Sequence, residues 1–184
     1  YADAPDYGPV GAPGEGIACV DDVARAAVLY LDEHARTGSA HALDQARAAL
    51  NFTLRMQEPD GRFTNFITDY AGTINRTGET SKPDLGWWAF RGMWALARGY
   101  SAFANTDAAY AARLLGAYQQ TERALDRSIA LDAGARATVR GHDIPAWTLR
   151  IPPDQAAVAA IALAQFQETN PNAARHRRCV RARR

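Results

Sequence analysis

Apolar residues recur early in the chain with a helical period. Val20, Val23, Ala24, Ala27, Val28 and Leu31 fall at i, i+3, i+4, i+7, i+8 and i+11, one face of a helix over about residues 21–36. Asp21 or Asp22 is placed to cap its start, and Gly38 to close it. Ser39 is placed to cap a second helix over about 40–58, with Leu43, Ala46, Leu50 and Leu54 on one face. A third helix is predicted over about 84–104. Its apolar residues, among them Trp87, Trp88, Phe90, Met93, Trp94 and Leu96, cover more than one face, as in a buried helix. A fourth runs over about 107–130, with Asn105 or Thr106 near its cap. A fifth starts after Pro152-Pro153-Asp154 and ends at Asn170-Pro171-Asn172.

The intervening segments lack this period. Residues 1–18 are rich in Gly, Pro and Asp and read as an extended arm. Pro59-Asp60-Gly61 is a turn, because Pro presets φ and Gly supplies positive φ. From there to Pro83 the chain alternates polar and aromatic residues, with room for a short hairpin around Phe63–Tyr70. Gly134 to Ile151 reads as a second long loop. Helices joined by short turns alternate with long loops at a period of about 65 residues, a repeat of helical hairpins. A hairpin buries both faces only among neighbours, so two and a half of them leave an open edge. The expectation is an all-α fold of helical hairpins forming part of an α/α toroid, an incomplete (α/α)6 barrel. A partner, a second copy or further chain would complete it. The divisions expected are the arm over 1–18, the toroid domain over 19–170 and a basic, disordered tail over 171–184.

Composition fits one ordinary domain: 184 residues, 47% hydrophobic and 22% charged. There are 39 Ala, which favours close-packed helices, and a single Lys, Lys82. No run of 18 apolar residues exists, so no membrane span is expected. The start at Tyr1 suggests a fragment or processed product, and the compartment stays open between bacterial cytoplasm and export. Six Arg lie in the last ten residues; without them the net charge of +1 becomes −5. Positive charge confined to a tail does not make a nucleic-acid reader, so no nucleic-acid partner is expected. Cys19 and Cys179 make neither a disulfide framework nor a zinc site, and Cys19 reads as a small packed hydrophobe. Four scattered His, no P-loop and no GxSxG elbow leave no cofactor and no metal expected.

Three segments carry a resemblance. Ala18 to Ala26 reads ACVDDVARA, Met56 to Phe66 reads MQEPDGRFTNF, and Gly78-Glu-Thr-Ser81 is followed by Arg91 to Leu96, RGMWAL. In order and spacing these resemble motifs of α/α-toroid proteins related to six-hairpin glycosidases, over about residues 17–104. Phe90 and Gly92 flank Arg91 where that pattern has Gly and Ala. The resemblance implies a carbohydrate partner and a place beside bacterial glycosyltransferases or sugar-processing enzymes.

The acids Asp21, Asp22, Asp60, Asp69, Glu79 and Asp84 fall where the long loops of a toroid converge. Glycoside cleavage needs one carboxyl as acid and another as base or nucleophile. The candidate catalytic set is Glu79, Asp22, Asp21 and Asp84. Trp87, Trp88 and Tyr70 are candidate stacking platforms for sugar rings, with Arg25 and Arg91 beside the acids. Most have a plainer role open to them, and Glu79, in an irregular loop with no cap role, is the least explained acid. Asp21 and Asp84 suit helix caps, Arg25 is spaced to pair with Asp21 and Asp22, and the tryptophans suit a core. The leading expectation is a carbohydrate-active domain that binds and processes a glycan. A non-catalytic glycan-binding or scaffolding module and a self-associating interaction protein are the alternatives. Carboxylates tied up in caps or arginine pairs favour the module.

Overall fold

The computed structural model describes residues 2–3, 8–9 and 15–170. In chain order the elements are β1 (Ala2–Asp3), β2 (Gly8–Pro9), β3 (Ala18–Cys19), α1 (Val20–Thr37), α2 (Ala40–Arg55), β4 (Phe66–Ile67), α3 (Trp87–Phe103), α4 (Ala108–Leu131), β5 (Arg136–Val139), β6 (His142–Pro145), a 3-10 turn over Ala146–Leu149, and α5 (Pro153–Thr169). Among the described residues these strands pair as three short antiparallel ribbons, β1 with β2, β3 with β4 and β5 with β6. The protein is predominantly α-helical. The tail expected over 171–184, with Cys179, lies outside the described residues, as does most of the arm expected over 1–18.

Local chemistry sets the helix limits. Gly38 closes α1 in the left-handed conformation (φ 71°) and returns its N–H to His34 O. The Ser39 hydroxyl accepts the Ala42 N–H and starts α2. Three expectations need correction. The fourth helix is capped by Asp107, whose Oδ1 accepts the Tyr110 N–H at 3.0 Å, rather than by Asn105 or Thr106. That N–H, and then Arg47, hold the Asp107 carboxyl below its ordinary value. The third helix starts at Trp87, not near Asp84. Asp84 exchanges both backbone bonds with Phe63 (3.1 and 3.0 Å), so it is held as an extended bridge residue, and Gly86 takes the cap position. The segment over 134–151 is not irregular. β5 and β6 form a hairpin around Arg140 and Gly141, both at positive φ (49° and 80°), the conformation a two-residue turn requires.

The helices lie in two sets. Asp21 and Asp32 of α1 pair with Arg91 and Arg98 of α3, so those helices run parallel. Trp94 and Ser101 of α3 bond Gln165 and Thr169 of α5, again parallel. Arg47 meets Asp107 and Gln57 meets Ala117 and Thr121, so α2 and α4 also run alike. The two-residue Gly38–Ser39 link and the four-residue link over 104–107 turn each helix back on the one before. α3 is central, packing on α1, α4 and α5. The core between them is continuous: Val20, Ala24, Ala27 and Leu31 of α1, Leu50 of α2, Met93 and Leu96 of α3 and Leu114 and Tyr118 of α4, with Phe63 from the loop. Alanines at Ala24, Ala27, Ala46, Ala89 and Ala97 let the backbones approach closely, which the Ala-rich composition anticipates.

Candidate functional site

The starts of α1 and α3 and the loop between α2 and α3 meet at one end of the protein. Backbone bonds fix that junction. β3 pairs with β4, Ala18 opposite Ile67 and Cys19 opposite Phe66. β4 also turns back on itself, Ile67 bridging Ile74 and the Thr68 N–H reaching Thr73 O at 2.8 Å, so the short hairpin expected around Phe63–Tyr70 is present a few residues later, over 66–75. The Ser81 hydroxyl donates to Asn75 O at 2.6 Å and accepts the Phe66 N–H at 2.8 Å, which folds the rest of the loop onto β4. Glu15 joins from the other side, accepting the Thr80 hydroxyl at 2.8 Å.

Between these walls lies a cleft of about 410 Å³. Its acids are Glu15, Asp21 and Asp22, its cation is Arg91, and Asn65, Thr80, Trp87 and Trp88 complete most of the lining. A second hollow of about 270 Å³ shares Cys19, Asp22 and Phe66 with it. Asp21 is the most engaged acid. Its Oδ2 pairs with Arg91 and lies 3.9 Å from Arg25. Its Oδ1 is buried and has no hydrogen-bond partner among the described residues. Asp22 is bound by Arg25 and accepts the Cys19 thiol at 3.3 Å. The Arg91 guanidinium lies over the Trp87 ring, 4.9 Å from its centroid. Trp88 donates its indole N–H to Phe63 O at 2.7 Å, so its polar edge is spent inside the fold.

The structure therefore gathers Asp21, Asp22, Trp87, Trp88 and Arg91 in one cleft, with Arg25 beside it. It does not bring the other three candidates to that lining. Glu79 has a side chain 86% exposed and pairs with Lys82 at 2.7 Å, three residues on in the same turn. Asp84 is exposed in its bridge with Phe63, and Tyr70 stands 88% exposed in the turn after Ile67. Neither Asp21 nor Asp22 is the cap of α1. Cys19 holds that position and its side chain caps nothing. Glu15, Asn65 and Thr80 line the cleft without having been singled out. Asn65 stands inside the MQEPDGRFTNF segment, but no periodicity marks it.

Cys19, 6% exposed, packs as expected of a small apolar side chain. Burial pushes its thiol from an ordinary 9.0 up to about 12, and the Asp22 carboxylate adds to the shift. In a Cys179→Ser background, native protein is expected to resist a thiol reagent at neutral pH and to label fully in denaturant. Native labelling at the rate of a free thiol would contradict the buried placement. The folded value lies above the unfolded one, so the related stabilisation is complete below pH 9.0 and is lost as pH rises toward 12.

No group of three or more His, Cys, Asp and Glu among the described residues is placed to hold a metal ion. No helix among them is long and apolar enough to cross a membrane. The chain matches no protein-family model and no curated protein.

Proposed function

We propose that the chain is a sector of an α/α toroid and that its cleft binds a glycan, as a binding or scaffolding module. The toroid part is supported by the shared direction of α1, α3 and α5 and the matching direction of α2 and α4. The second helical pair repeats the directions of the first, as successive hairpins of such a ring do. The observation that carries the binding reading is the convergence of Asp21, Asp22, Arg91, Trp87 and Trp88 on one cleft. Sugars are recognised by planar polar groups that hydrogen-bond their hydroxyls and by aromatic faces that pack on their C–H surfaces. A few convergent polar groups beside an apolar wall meet that need.

Binding is favoured over hydrolysis by how the acids are engaged. Acid/base cleavage asks for a carboxyl free to deliver a proton. Asp21 is taken by Arg91 and Asp22 by Arg25, while Glu79 is taken by Lys82 outside the cleft. A second reading, glycan processing, has one observation in its favour: the buried Oδ1 of Asp21, without a hydrogen-bond partner among the described residues.

A glycan array probed with the whole chain tests both. The parent is expected to retain a defined glycan class without releasing sugar from it. Trp87→Ala and Asp22→Asn are each expected to weaken that binding about tenfold or more, the scale of a lost well-placed polar or aromatic contact. An array that retains nothing would overturn the proposal. Released sugar that disappears in Asp21→Asn would replace it with the second reading.

A further inference from the structure

Asn65 joins two walls of the cleft through its carboxamide. It is 5% exposed. Its Oδ1 accepts the Asp21 N–H at 3.2 Å, and its Nδ2 donates to Thr80 O at 3.1 Å. Its backbone repeats the arrangement: the carbonyl accepts the Val20 N–H and the N–H donates to Ser81 O, both at 2.9 Å. One orientation of the carboxamide satisfies both side-chain bonds. Turned over, it would set donor against donor and acceptor against acceptor.

The need for this arrangement comes from α1 itself. A helix start leaves its first N–H groups without intrahelical partners. Ser39 and Asp107 cap α2 and α4 from their own cap positions. Cys19 makes no such bond for α1. The side-chain acceptor arrives instead from a residue 44 positions away in sequence.

We infer that Asn65 is the positioning residue of the cleft. Its oxygen seats the first turn of α1, which carries Asp21 and Asp22. Its nitrogen seats the segment that carries Thr80. It acts on a ligand through those residues, and that last step alone rests on the glycan reading.

The test is amide hydrogen exchange, resolved by residue, on the full chain without ligand. In Asn65→Ala the Asp21 amide is expected to exchange roughly fivefold faster, the scale of a lost helix cap. The Ser81 and Lys82 amides, both bonded to Gly78 O, are expected to exchange faster too. Asn65→Asp keeps the acceptor and loses the donor. The Asp21 amide should then stay within about twofold of the parent while Ser81 and Lys82 still speed up. Amides from Ala27 to Leu31 should not move in either variant. An unchanged Asp21 amide in Asn65→Ala, or a uniform acceleration along α1, would overturn the assignment. If Asn65→Asp does not fold, the contrast between Asp21 and Ala27–Leu31 in Asn65→Ala decides alone. Because exchange is read without a ligand, a parent that binds no glycan sinks the glycan reading and leaves this inference to the amides.

Discussion

Gly61→Ala is expected to destabilise the protein by about 4 kcal/mol, among the larger effects of a single substitution. Two causes add. Gly61 has φ 92°, a conformation that costs an L-residue roughly 1–2 kcal/mol. The turn also docks directly on α4: an alanine Cβ would fall 2.7 Å from the Gln120 carbonyl carbon and 3.1 Å from Thr121 Cα. Both neighbours are helix backbone and do not rotate away as a side chain would. The turn is further held by Gln120, which donates to Pro59 O at 2.5 Å, and by Arg127, which donates to Asp60 O at 2.9 Å. Urea denaturation should give the loss, and heating a fall in Tm of about 10 °C. Gly134→Ala is the internal control. Gly134 also has positive φ, at 76°, but nothing lies within 4 Å of its added Cβ. It should cost only the conformational part, about 1 kcal/mol. Equal losses at the two positions would mean that contact with α4 contributes nothing.

Phe63→Ala should cost a similar amount, about 4 kcal/mol, by a different route. Phe63 is fully buried, and its ring lies in a recess that Gly92 leaves open in α3: a Cβ at Gly92 would come within 3.1 Å of the ring. Truncation removes the ring and leaves a cavity, while the backbone bonds between Phe63 and Asp84 need not change. Phe63→Leu fills most of the space and should lose about 1.5 kcal/mol. Denaturant melts of the two variants supply the comparison. A loss below about 2 kcal/mol for the alanine variant would mean that the recess collapses around the smaller side chain.

Both residues stand in a segment that periodicity could not place. The helices were legible because their burial follows sequence spacing. The predicted face of α1, for example, contains the buried residues Val20, Ala24, Ala27, Val28 and Leu31. The limits of α3 were less legible, because Asp84 looks like a cap in sequence while its backbone is claimed by Phe63, 21 residues earlier. The β5–β6 hairpin escaped notice because its turn is Arg140-Gly141, without the Asn or Asp that usually marks such a turn. The site divided in the same way. Asp21, Asp22, Trp87, Trp88 and Arg91 were reachable from the helix starts that carry them. Asn65 and Glu15 reach the cleft through bonds to Asp21 and Thr80, contacts between distant positions that a pattern along one chain does not encode. Glu79 pairs with Lys82 three residues on, a contact made by an irregular turn whose course no periodicity reveals.

The parallel course of α1 and α3, with α5 starting beside Gly86, has an electrostatic consequence. Each helix brings the positive pole of its peptide dipoles to the same rim, worth about half an elementary charge apiece. The side chains there carry the opposite excess, three carboxylates against the one guanidinium of Arg91. Arg25, paired with Asp22 at the edge of the cleft, adds a second cation, so backbone and side chains together offset much of the carboxylate charge gathered at the mouth.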